Sequence, residues 1–340
     1  MVAVGGRLPV LTEKERALLD VFLPLLPDEI IDAHTHGNLR EHVGVIPPPL
    51  DALPMSTFAA YDLSDAKAMR GQLWPGKRVS ALRFANAFRG IDHRAANNYL
   101  RLAASTFDDH FVAFGISDDA TYTVRLLRSE RPTACKMYAR SVVPFLVTIE
   151  DVFPPPVLME CSRLGIPIIL HLPASLEDSR EGLLGIIEKY PNLKVVLAHC
   201  GLPRPGYCSD VEVLSALSHS ENVVVDTALV VDSWTLNTAF ETFGSERVMF
   251  GSDEPLSLLR VLEYQHPVKG KRWASTTPYH WLDATDYAEG DLEDRELLLH
   301  VQQIMTIVNV VRQQCSDPRI LEQLLRGVFH DNAARFFSVE

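Results

Sequence analysis

Four histidines and one aspartate follow directly on apolar runs in this chain. His34 and His36 close EIIDAHTH, His171 follows GIPIIL, His199 follows KVVLA and Asp253 follows RVMFGS. Two residues apart in an extended strand, His34 and His36 project to the same side. A lone HxH pair is usually a pair of ordinary polar side chains, and a single strand-end histidine is usually hydrogen-bonded scaffolding. Recurrence at equivalent places in four runs is different, because chance placement of 12 histidines seldom produces it. Imidazoles converging with a carboxylate make a nitrogen and oxygen site that suits Zn2+, and also Mn2+ or Fe2+.

The elements that must position these residues alternate. After a predicted helix from Glu13 to Leu23, strand-like runs fall at EIIDAHTH, HFVAFGIS (110–117), TACKMYA (133–139), GIPIILHL (165–172), LKVVLAHC (193–200), NVVVDTAL (222–229) and ERVMFGSD (246–253). RVSALRFANAF (78–88) completes a set of eight. Several runs are continuously apolar, as in parallel strands buried on both faces, and helical patterns such as VLMECSRL and WTLNTAFETF lie between them. Repeated βα units of this kind predict a single-domain α/β fold over 1–340, a (β/α)8 TIM barrel, with closing helices between Leu297 and Phe337. Two excursions, 37–77 and 254–290, read as long loops on the C-terminal face: the first is dense in proline and glycine, the second in Tyr, Trp, His and Lys. Trp74, Trp273 and Trp281 on them suit either an apolar lid or plain loop packing.

Bulk composition narrows the function. The 340 residues are 47% hydrophobic, and Lys+Arg 32 against Asp+Glu 44 gives a formal charge of -12. Nucleic acid and anionic membrane surfaces demand a basic footprint, so neither is expected as a partner. The five cysteines (Cys135, Cys161, Cys200, Cys208, Cys315) are scattered and form no CxxC pair. That pattern fits a reducing cytoplasm better than a disulfide framework. The first residues show no signal-peptide pattern and no apolar stretch reaches membrane-spanning length, so a cytoplasmic protein acting on a small molecule is expected.

In combination, DAHTH, KMY at 136–138, ILHLP at 169–173, LAHCG at 197–201, FGSDEP at 250–255 and DNAARFF at 331–337 resemble the amidohydrolase superfamily. They are most similar to its amidohydrolase-related branch of hydrolases, lactonases and aminocarboxymuconate semialdehyde decarboxylase-like enzymes. The resemblance runs from about residue 30 to 337 and implies a metal at the C-terminal mouth of the barrel. It implies His34, His36, His171 and Asp253 as ligands, His199 close by, and often a homodimer. One divalent ion, zinc first and manganese next, is the expected cofactor. Asp253 and His199 are then the candidate catalytic residues: Asp253 as the base for an activated water, His199 as a group that polarises a carbonyl or transfers a proton. The bland reading of His199 is a residue that only orients a ligand. Lys136 has two readings. Carboxylated, it would bridge a second metal; unmodified, it is a cationic substrate contact, the reading preferred here.

Tyr138, Arg140 and Arg83 are the other substrate-binding candidates, since arginine forks match carboxylates. Arg89, His93, Arg94, Arg204, Tyr207 and Asp226 lie near the expected mouth as weaker candidates. The expected reaction is hydrolysis of an amide, ester or lactone. Non-oxidative decarboxylation of an aromatic or unsaturated acid is the alternative, and a non-catalytic barrel the third reading, disfavoured because all five site positions are present.

Overall fold

A computed structural model describes residues 8–45, 59–87, 90–138, 148–201, 211–266, 270–276 and 295–339. Eight parallel strands follow in chain order: β1 (Glu29–His36), β2 (Arg78–Phe84), β3 (His110–Phe114), β4 (Ala134–Met137), β5 (Ile168–Leu170), β6 (Val195–Leu197), β7 (Val223–Asp226) and β8 (Val248–Met249). The sheet returns on itself. Ala33 N–H donates to Phe250 O at 2.9 Å, Asp253 N–H to His34 O at 2.8 Å, and His36 N–H to Glu254 O at 2.6 Å. The architecture is the (β/α)8 barrel that the alternating runs predict.

Strand alternation sorts the residues. Cys135 and Met137, Val195 and Leu197, and Val223 and Val225 face the surrounding helices, while Ala134, Val196 and Val224 pack in a second cluster. Lys136 and Asp226 therefore point to the opposite side from their helix-facing neighbours. The helices that follow the strands begin on side-chain caps: Asp62, Asp92, Asp119, Ser175 and Asp232 each accept from a first-turn N–H. Such caps satisfy donors that the helix itself cannot, typically worth about 1 kcal/mol each.

The strands are shorter than the apolar runs. Ladder pairing stops at Leu170, Leu197 and Met249, so His171, His199 and Asp253 lie just beyond it. The backbone there turns left-handed, with φ of 58° at His199, 52° at Cys200 and 64° at Asp253. Non-glycine residues in this region cost on the order of 1–3 kcal/mol and concentrate at functional sites.

Both excursions hold regular structure that the sequence reading took for loop. Residues Leu63–Leu73 form a helix with a capping box at Asp62, and Trp74 after it is buried against Phe250, His300 and Phe329. The proline-rich part, 46–58, lies outside the described residues. The second excursion begins with an antiparallel hairpin, β9 (Arg260–His266) and β10 (Gly270–Ala274), joined by β11 (Leu297–Leu298). Trp273 of β10 packs on Leu229, Leu259, Val261 and Leu299, so it is core rather than lid. Trp281 lies outside the described residues. Arg260 grips both carboxylate oxygens of the fully buried Glu15 in the first helix, and Leu298 N–H donates to the same group. The tail forms helices Leu299–Gln314, Pro318–Arg326 and Asn332–Phe337. Among the described residues no helix is long and apolar enough to cross a membrane.

Candidate metal centre

His34 falls within, and His36 just after, an irregularity in the register of β1 with β2, between Asp32 and Thr35. A register break re-aims side chains that a regular ladder would hold apart. Opposite them, Gly251 passes so close that an added Cβ would stand 2.8 Å from the Cβ of His34. Only glycine lets the β8 end approach β1 in this way. One ligand atom each of His34, His36 and Asp253 then falls within 4.8 Å of the others, all three residues buried.

The protonation pattern of this cluster follows from its partners. His36 Nδ1 lies 3.1 Å from Ala85 O, and His199 Nδ1 lies 2.8 Å from Ala228 O. A carbonyl only accepts, so each Nδ1 carries a hydrogen, and Nε2 is the atom left to face a ligand. His34 Nδ1 lies 2.8 Å from Asp226 Oδ2, which fixes the same tautomer against a carboxylate. Yet His36 Nε2 stands 2.9 Å and His34 Nε2 3.5 Å from the same Asp253 Oδ1. Two ring nitrogens and a carboxylate oxygen thus converge, and the His36 Nε2–Asp253 Oδ1 contact is itself a hydrogen bond. Donors about 2.1 Å from one ion stand roughly 3–3.5 Å apart, so the residues present fit a shared divalent cation. Burial pushes the Asp253 carboxyl up, but the His36 hydrogen bond and the charges of His34, His36 and His199 hold it well below the usual carboxylate range. Burial pushes His34 well below the ordinary histidine value. Both groups are thereby kept in the ligand form.

The remaining imidazoles continue the row. Ring centroids of His34 and His199 are 5.0 Å apart, as are those of His199 and His171. His171 is half-buried and meets Tyr138 edge-on at 4.6 Å. It borders the cluster but lies outside the tight group of three. Lys136, 1% exposed, lies 5.4 Å over the Phe84 ring, whose edge meets His34 and His36. Among the described residues its ammonium makes no hydrogen bond and no ion pair within 4 Å. Burial pushes its pKa down to about 8, opposed by the charges of Asp226 and Asp253.

Arg83 corrects the sequence reading. It is fully buried and donates to Asp109 at 2.9 Å, to Glu254 at 3.0 Å and to His36 O at 3.1 Å, with Tyr61 O–H donating to Glu254 at 2.6 Å. Phe84 points at the histidines, so its neighbour Arg83 points away from them, and the guanidinium braces Glu254 instead of meeting substrate. Period-2 alternation would have revealed this. Arg94 pairs with Asp119 and covers Tyr122, and His93 stacks on Phe114 at 4.2 Å. Arg89, Arg140, Arg204 and Tyr207 lie outside the described residues.

Two carboxylates have a larger part than the sequence suggested. Asp226 is fully buried and accepts from His34 on one oxygen and from His199 N–H and Ala228 N–H on the other. Asp32 accepts from Ser252 N–H at 2.8 Å and His34 N–H at 3.3 Å, and burial raises its pKa to about 7. The available signal was position: Asp226 ends an apolar run, and Asp32 sits two residues before His34.

A parallel barrel with histidines and a carboxylate converging at its C-terminal mouth defines a metal-dependent TIM-barrel enzyme class. Within it, the amidohydrolase family model matches residues 31–339, and the chain belongs to that family. No curated protein is found to match it in sequence. Similar solved structures include an amidohydrolase from Burkholderia multivorans with bound zinc, at TM-score 0.58 and 15% identity over 92% of this chain and 99% of that one. A 5-carboxyvanillate decarboxylase from Novosphingobium aromaticivorans, complexed with manganese and 4-hydroxy-3-methoxy-5-nitrobenzoic acid, is similar at TM-score 0.56 and 13% identity, covering 91% and 96%. A 2,6-dihydroxybenzoate decarboxylase from Rhizobium gives TM-score 0.53 and 15% identity, covering 91% and 98%. At these identities the likeness is one of fold.

Proposed function

We propose that this chain is a metal-dependent non-oxidative decarboxylase of an aromatic or unsaturated carboxylic acid, which replaces hydrolysis as the leading reading. The observation that carries it is Lys136, a buried ammonium with no hydrogen-bonding partner among the described residues, set beside the His34, His36 and Asp253 cluster. A buried cation is costly unless a partner completes it, and an acid anion is such a partner. Phe84 and Tyr138, edge-on to the histidines, give a flat substrate apolar walls. The similarity to decarboxylases of substituted benzoates supports the same reading.

One divalent ion, zinc or manganese, is proposed, held by His34, His36 and Asp253 with His171 as a further ligand. When bound, it supplies a Lewis acid for the oxygens of the acid. The side chains do the rest. Lys136 pairs with an anionic group and orients the ring. The carbon–carboxylate bond breaks, its electron pair stays on the substrate carbon, and CO2 leaves. That carbon then takes a proton that comes from solvent and is relayed by His199 and Asp253. Hydrolysis of an ester or lactone is kept as a second reading on one observation: the similar solved structures include an amidohydrolase with bound zinc.

The test is to load the protein with Mn2+ or Zn2+ and supply hydroxybenzoates and unsaturated dicarboxylates labelled with 13C at the carboxyl, in parallel with lactones and esters. Release of labelled CO2 is expected. Proton release from lactones or esters, with no CO2 from any acid, would replace the decarboxylase by the hydrolase.

A further inference from the structure

We infer that Asp226 is a positioning residue that sets which nitrogen of His34 faces the metal and, through the same carboxylate, holds His199 in place. The inference rests on the proposed metal centre for its functional meaning, but its structural content can be tested in metal-free protein.

Among the described residues three donors and no acceptor reach the Asp226 carboxylate. His34 Nδ1 reaches Oδ2 at 2.8 Å, while His199 N–H and Ala228 N–H reach Oδ1 at 2.8 and 3.1 Å. The group is fully buried, so water does not substitute for any of them. On the His34 side the carboxylate demands a hydrogen on Nδ1, leaving Nε2 as the lone-pair nitrogen toward Asp253. On the other side it satisfies the N–H of a left-handed residue, His199 at φ 58°, and of Ala228, whose own carbonyl accepts from His199 Nδ1. One side chain thus ties β1 to the β6 and β7 turns and fixes two imidazoles. Among the described residues, neither β1 nor the β6 turn carries a group of its own that does this for both.

The chemistry makes the isosteric amide a sharp probe. Asparagine offers one acceptor and one donor where the site presents donors on both sides. If its oxygen serves His199 and Ala228, its NH2 meets His34 Nδ1, and the ring must move its hydrogen to Nε2 and lose its lone pair for the ion. If its oxygen serves His34, its NH2 opposes two N–H groups and the His199 turn must shift. Asp226→Asn is therefore disruptive although it leaves size unchanged.

The experiment uses the full chain with 15N- and 13C-labelled histidine, assigned with His34→Gln and His199→Gln. In metal-free wild-type protein the His34 ring is expected as the Nδ1–H tautomer. In Asp226→Asn either that tautomer reverses or the His199 resonances move. Zn2+ alone, titrated against a chromophoric chelator, is expected to bind the variant about 10–100-fold more weakly when the tautomer reverses. A wild-type His34 carrying its hydrogen on Nε2 overturns the inference. So does a folded Asp226→Asn protein with unchanged His34 and His199 resonances. The wild-type measurement stands even if the variant fails to fold. Failure of wild-type protein to bind Zn2+, with the tautomers as described, would remove the metal reading and leave this inference intact.

Discussion

On the β1–β8 side of the mouth, Ala85 and Asp226 tie down the Nδ1 atoms of His36 and His34, and Arg83 with Tyr61 braces Glu254 beside Asp253. On the β4 side, Lys136 is equally buried but reaches only the face of Phe84 and the more distant charges of Asp226 and Asp253. One wall is cross-braced and gathers ligand-capable atoms at one point. The other presents a single buried positive charge. The difference teaches how a site divides labour between a resident group, which needs fixed ligands, and an exchangeable one, which needs a partner left open.

The comparison breaks most severely at the braced wall. Asp253→Asn replaces the shared carboxylate of the cluster by a neutral amide, and bound metal is expected to fall below about a tenth of an equivalent, read by elemental analysis. Loss of a metal's charge stabilisation, several kcal/mol, should lower turnover by at least about 10^3-fold. Arg83→Met tests the bracing itself. It leaves Glu254 a buried carboxylate without its cation, while Asp109 keeps Arg70, and breaking such a pair typically costs about 3–5 kcal/mol, visible in denaturant unfolding. Retention of wild-type stability would show that the network holds nothing.

The open wall should respond in the opposite sense. Lys136→Met is expected to raise KM for the acid about 10–100-fold, the scale of one charged hydrogen bond, while stability stays level or rises. Its pH dependence sharpens the point. The folded pKa of about 8 lies below the ordinary lysine value of about 10.4, so the unfolded chain binds the extra proton between them. Stability therefore rises with pH across that window, while affinity for an anionic acid falls above about 8. A bound cation pushes the same way. Affinity that rises with pH in this window would contradict the role of Lys136. The smallest effect is expected far from both walls. Glu15→Gln weakens the grip of Arg260 on the first helix by about 1–3 kcal/mol and should leave metal content unchanged.

Much of the barrel was legible because buried parallel strands must be apolar runs and helical patterns lie between them, five of them starting on side-chain caps. The site was legible for the same reason: polar residues directly after apolar runs must gather at one mouth. Its supports were not. Asp226 and Asp32 look like ordinary strand residues until the turns that donate to them are placed. Arg83 was misread because an arginine near a mouth suggests a ligand, whereas alternation with Phe84 sends it behind the wall. The helix Leu63–Leu73 and the β9–β10 hairpin were hidden by neighbouring prolines and aromatics, whose local bias masked short regular segments. Which acid fits the mouth depends on side chains that spacing alone does not aim.

The central claim is that the convergent ring nitrogens and carboxylate oxygen of His34, His36 and Asp253 hold one divalent ion. The direct measurement is metal stoichiometry after chelator stripping and reloading with Zn2+ or Mn2+, on wild type beside Asp253→Asn. About one equivalent, lost in the variant, is the predicted result. Less than about half an equivalent in folded wild-type protein would contradict it, as would one equivalent retained in Asp253→Asn.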